Sequence, residues 1–109
     1  MTKRPSDPGG GTVAIGTSVE RLLAERGLEE AVVLGMVVEC WSEVVGEEVA
    51  NQVVPVLVRS GELVVRVGHP AWATELDLAG AQILKRLETR LGAAAPTRLT
   101  VRVGYSGRR

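Results

Sequence analysis

The chain has 109 residues, is 45% hydrophobic and carries 13 bases against 13 acids, a formal charge of zero. That length holds one domain with a modest core, and the apolar content excludes a disordered chain. No run approaches the roughly 18 uncharged apolar residues of a membrane span, and no apolar stretch follows the basic start MTKR, so neither a span nor a secretion signal is expected.

Residues 1–16, MTKRPSDPGGGTVAIG, hold two prolines and a glycine triplet, the composition of a flexible arm. Ser18 then reads as the N-cap of a short helix, VERLLAERG, with Gly27 at its exit. A second helix is expected from about Glu29 to Val45. Its apolar side carries Val33, Val37, Cys40, Trp41 and Val44, while Glu39, Glu43 and Glu47 recur on another side. Gly46 interrupts it, and EEVANQ is expected to add a further turn or two. Cys40 is the only cysteine, so it forms no internal disulfide and no multi-thiolate site. Its place in VVECW suits a buried, inert thiol in a reducing cytoplasm.

The apolar period then switches from four to two. VVPVLVRSGELVVRV reads as two strands around a Ser60–Gly61 turn, an antiparallel hairpin. Val54, Val56 and Val58 alternate against Pro55, Leu57 and Arg59. Pro55 lacks an N–H for the ladder, which puts the first strand at a sheet edge.

A long helix follows, opened by His69 and Pro70 and closed by Gly92. Trp72, Leu76, Ala79, Ile83, Leu87 and Leu91 form its apolar stripe, and Gly80 marks a place where it kinks or splits. Trp41 and Trp72 are expected in the core, facing each other. RLTVRV then reads as a third strand, and residues 105–109 as a flexible tail. A helix between the second and third strands makes a right-handed crossover the natural connection. The fold class is therefore α+β, in the order α-α-β-β-α-β, with a three-stranded mixed sheet and helices packed on one face.

Nothing in this pattern points to catalysis. His69 has no nucleophile or carboxylate at useful spacing and reads as a helix cap. Cys40 lacks a nearby base, and no Walker loop or dinucleotide fingerprint occurs. The expectation is a non-enzyme without cofactor or metal.

Charge is more informative. Residues 17–50 hold eight acids and two bases, and residues 51–109 nine bases and four acids. Arg59, Arg66, Arg98 and Arg102 have the strand parity opposite to the core valines and leucines, which lines them on the open sheet face with Leu57, Val64 and Thr100. Lys85, Arg86 and Arg90 cluster late in the long helix. These seven are the nucleic-acid candidates, suited to phosphates rather than bases. Glu39, Glu43, Glu47 and Glu48 form a candidate protein-contact surface.

One combination of residues is distinctive. Trp41 and Gly46 close a helix, and a strand, a turn and G-x-L-x-V follow (Gly61, Leu63, Val65). W-x-x-E-L comes next (Trp72, Glu75, Leu76), then L-x-x-x-L-G (Leu87, Leu91, Gly92), and the last strand ends at Gly104. Over roughly residues 18–104 this order resembles the DciA-like family of bacterial proteins. The resemblance implies a KH-like domain of type II-like topology over residues 17–104, in a protein that binds the replicative DnaB-type helicase. It further implies assistance in loading that helicase on single-stranded DNA, with weak, salt-sensitive DNA binding of its own. The KH G-x-x-G backbone clamp has no counterpart here, which leaves arginines, lysines or the basic arm for DNA contact. A general RNA-binding KH-like protein and a purely protein-binding adaptor are the alternatives. A cytoplasmic monomer without membrane contact is expected, with dimerisation left open.

Overall fold

A computed structural model describes residues 11–104, with side chains from residue 18 onward. The elements are α1 (Gly11–Val45), α2 (Glu47–Gln52), β1 (Val53–Arg59), β2 (Glu62–Val67), α3 (Pro70–Leu91), a 3-10 turn (Gly92–Ala94) and β3 (Arg98–Val103). The sheet order is β1-β2-β3, with β1 antiparallel and β3 parallel to β2. This is the expected α+β, KH-like order, and β1 with its Pro55 lies at an edge.

The first expected helix break is absent. Ser18 and Gly27 both lie inside α1, which runs 35 residues without interruption. A helix interior tolerates one glycine at a cost of about 1 kcal/mol, which the packing of residues 33–45 offsets. Of the expected arm, residues 1–10 lie outside the described residues, as does the tail 105–109. The break that does occur is at Gly46, whose φ of 92° lies in the left-handed region and turns the chain into α2.

The hairpin turn is the two-residue Ser60–Gly61 loop, both with positive φ (52° and 80°), matching the right-handed twist of the strands. β1 carries a bulge between Pro55 and Leu57, which corrects the simple alternation. Val53 and Val58 are both buried, while Val54 is exposed instead of sharing the core side with Val58. An extra residue in the strand inverts the parity on one side of it.

The core lies between the sheet and α1 plus α3. Val37, Cys40, Trp41 and Val44 of α1 meet Val53, Val58, Leu63, Val65 and Val67 of the sheet and Leu76, Ile83 and Leu87 of α3. Gly80 does not break α3. Leu99 comes close there, so that a Cβ on Gly80 would stand 3.6 Å from the leucine Cδ2. Trp41 is 4% exposed, and its Nε1 donates to the Val53 carbonyl at 2.9 Å, joining α1 to the start of β1. Trp72 departs from the expectation: it is half-buried, at the rim of a cleft of about 100 Å³ shared with Val45, Val49 and Ala79. It packs against the core cluster from outside.

Candidate nucleic-acid interface

The strand register builds the sheet face turned away from the helices in three rows. Val54, Arg66 and Arg102 are cross-strand partners, then Leu57, Val64 and Thr100, then Arg59, Glu62 and Arg98. Leu63, Val65 and Val67, of opposite parity on β2, belong to the core, so these nine residues share the outer surface. Two basic rows thus flank an apolar and hydroxyl-bearing middle row. Along β3, Arg98 and Arg102 are four residues apart, about 13 Å. The middle row is tightly filled: Val64 is 1% exposed although it stands outside the core cluster.

Individual side chains tune this face. Arg98 Nη2 donates to the Ser60 carbonyl at 2.9 Å. The Thr97 and Arg98 backbone N–H groups both donate to the Gly61 carbonyl, at 2.8 and 3.1 Å. The hairpin turn is thereby fastened to the start of β3, which fixes where Arg98 projects. Arg66 is half-buried, with its methylenes laid against Gly104: a Cβ there would stand 3.6 Å from Arg66 Cδ. Arg59 and Arg102 are exposed. Glu62, outside the set of candidates that the sequence offers, stands between Arg59 and Arg98 and accepts a hydrogen bond from Thr100 Oγ1. Its i, i+2, i+4 parity with Val64 and Arg66 was the signal that could have placed it. Four arginines and one glutamate leave the face positive.

The helical bases do not join it. Arg86 Nη1 donates to the Val44 carbonyl at 2.9 Å, satisfying an end of α1, and Arg90 is ion-paired with Glu43. Both guanidinium groups tie α3 to the end of α1. Lys85 is exposed and borders a cleft with Glu88, Pro96 and Thr97. Of the acidic candidates, Glu43 is therefore engaged, while Glu39, Glu47 and Glu48 are exposed, the last two in the first turn of α2, where the helix dipole favours them.

The remaining singled-out residues have structural duties. His69 caps α3, its Nδ1 accepting from the Ala71 N–H at 3.0 Å. Gly92 has φ 67° at the C-terminal end of α3. Leu76 and Leu87 are core. Burial pushes the Cys40 thiol upward, Arg90 opposes that, and Glu43 and Glu39 add to it. Its S–H points at the Val37 carbonyl, 3.7 Å away. Among the described residues, no group of three or more His, Cys, Asp or Glu is placed to hold a metal, and no helix is long and apolar enough to cross a membrane.

With that geometry in hand, the comparison with protein families is decisive. The model described as "Dna[CI] antecedent, DciA" matches residues 14–101, from α1 into β3. The chain belongs to the DciA family. Similar proteins include a UPF0232 protein of Streptomyces coelicolor, 40% identical over 82 residues, covering 73% of this chain and 43% of that protein. A UPF0232 protein of Streptomyces avermitilis is 39% identical over 82 residues, covering 73% and 45%. One of Mycobacterium tuberculosis is 35% identical over 78 residues, covering 72% and 42%. The chain spans less than half the length of these curated relatives. Its DciA-family match takes in β1, β2 and β3 as far as Val101, one residue short of Arg102.

Proposed function

We propose that this chain is a non-enzymatic replication accessory that binds the replicative DnaB-type helicase and assists its loading on single-stranded DNA. The observation that carries this reading is membership of the DciA family, a helicase-loading accessory family, over residues 14–101. In this reading the chain positions a partner, and ATP hydrolysis belongs to the helicase.

DNA contact falls to the open sheet face. Arg59, Arg66, Arg98 and Arg102 offer planar, multidentate donors to phosphate oxygens, and each neutralised phosphate releases counterions, which makes binding weak and salt-sensitive. Neither tryptophan stands on that face, so base stacking does not contribute and sequence preference is low. Lys85 remains an additional exposed cation. Arg86 and Arg90 serve the fold first, and we assign them no DNA contact. Helicase contact is assigned to the opposite charge, the exposed Glu47 and Glu48 with Glu43 beside them.

The test uses purified chain, purified DnaB-type helicase and labelled single-stranded DNA. Capture of the helicase, together with DNA binding that weakens on charge reversal of Arg66 and Arg102, supports the reading. Helicase capture with no salt-sensitive DNA binding would leave an adaptor. Preference for RNA over DNA of equal length, without helicase capture, would indicate a general RNA-binding protein.

A further inference from the structure

Every residue of α1 from Ser18 to Glu29 is exposed, and the Glu30 carboxylate accepts the Ser60 N–H at 2.7 Å. The side of α1 turned away from the core carries a ridge of apolar residues at helical spacing, Leu28, Val32 and Met36, exposed by 68%, 61% and 36%. Around it Arg21, Glu25, Leu28, Val32, Gly35 and Glu39 recur in steps of four, three, four, three and four, the spacing of a two-helix seam, with Leu28 and Val32 as its apolar centre and charges toward its ends.

Gly35 adds a second observation. A glycine inside a helix costs about 1 kcal/mol relative to alanine, yet a Cβ at Gly35 would meet nothing within 4 Å. Nothing within the molecule requires it, whereas a second helix lying close across this face would. The charges select the occupant and its direction. Arg21 and Glu39 stand at opposite ends of the seam, equidistant from Glu30 and about 27 Å apart along the helix. In an antiparallel pair of identical helices centred on Glu30, each Arg21 meets Glu39 of the second copy, Leu28 meets Val32, and Glu25 lies opposite Gly35, where the missing side chain leaves it room. In a parallel pair, Arg21 would meet Arg21 and Glu39 would meet Glu39.

We infer that the outer face of α1 is a self-association surface, on which a second copy of this chain packs its own α1 antiparallel about Glu30. The contact is isologous, so one two-fold axis closes the dimer and exposes no further seam.

Sedimentation equilibrium of the 109-residue chain tests this. The wild type is expected to show a monomer–dimer equilibrium, and Val32→Glu to abolish it with an unchanged far-UV CD spectrum, since Val32 is 61% exposed. Arg21→Glu and Glu39→Arg, which place like charges at both ends of the pair, are each expected to weaken the dimer on the order of tenfold. Mixing those two variants should restore it, because every end then meets its opposite. A chain that stays monomeric at the highest concentration it tolerates overturns the inference. So does a dimer that survives Val32→Glu, or a charge-reversed mixture that fails to recover.

Discussion

Trp41 and Trp72 looked alike in the sequence and differ in the structure, and replacing each by phenylalanine reads that difference as free energy. Trp41→Phe removes an indole N–H that donates to the Val53 carbonyl at 2.9 Å, at a position 4% exposed. Val53 is itself fully buried, so its carbonyl loses a partner where water does not replace it, at about 1–3 kcal/mol. The smaller ring adds a packing defect, for a total of about 2–3 kcal/mol. Trp72 is only half-buried at the rim of its cleft, and its replacement by phenylalanine should cost at most about 1 kcal/mol. Thermal and urea unfolding followed by far-UV CD separates the two. For a domain of this size, Trp41→Phe lowers Tm by about 10–20 °C. A loss for Trp72→Phe as large as that for Trp41→Phe would refute the assignment of Trp41 as the interior strut.

Other expectations follow from the same geometry. Arg86→Ala leaves the Val44 carbonyl without its donor and should cost about 1–2 kcal/mol in urea unfolding, whereas Arg90→Ala breaks only an exposed ion pair and should cost under about 1 kcal/mol. Because burial pushes the Cys40 thiol up, the unfolded chain ionises first. The stability from the neutral thiol is whole below about pH 8.5 and is lost as pH rises through the higher folded value. Urea midpoints on either side of that value should therefore fall further for the wild type than for Cys40→Ala, and an equal fall in both would dismiss the effect. Gly61→Ala forces a Cβ into φ 80°, 3.3 Å from Thr97 Oγ1, and should destabilise the hairpin by about 1–2 kcal/mol. Charge reversal at Arg66 and Arg102 should flatten the slope of log affinity against log salt for single-stranded DNA by about 2, measured by fluorescence anisotropy. An unchanged slope would remove the sheet face from the account.

Much of this was readable from residue order because strand parity and turn chemistry are local. Ser60–Gly61 sets the hairpin register, Pro55 marks the edge, and the alternation of RLTVRV against ELVVRV puts Arg66, Arg98 and Arg102 on one face. The sequence reading failed where local signals compete with tertiary packing. Gly27 looked like a helix stop but sits in a continuous α1, since a glycine ends a helix only when the following chain finds better partners elsewhere. Val54 was grouped with Val58 because a bulge leaves no mark in the alternation that a run of valines can show. Arg86 and Arg90 looked like free cations because their partners, Val44 and Glu43, are more than 40 residues away in sequence. Half-burial of Trp72 was likewise out of reach, since an apolar stripe does not reveal where its covering element ends.

The most direct measurement of the proposed replication role is helicase loading itself. Purified DnaB-type helicase is mixed with circular single-stranded DNA with and without this chain, and the DNA-bound helicase is counted. Loading should rise with the wild-type chain and fall back toward the helicase-alone level with the folded Arg66→Glu/Arg102→Glu variant. Loading that the wild-type chain leaves unchanged would contradict the account.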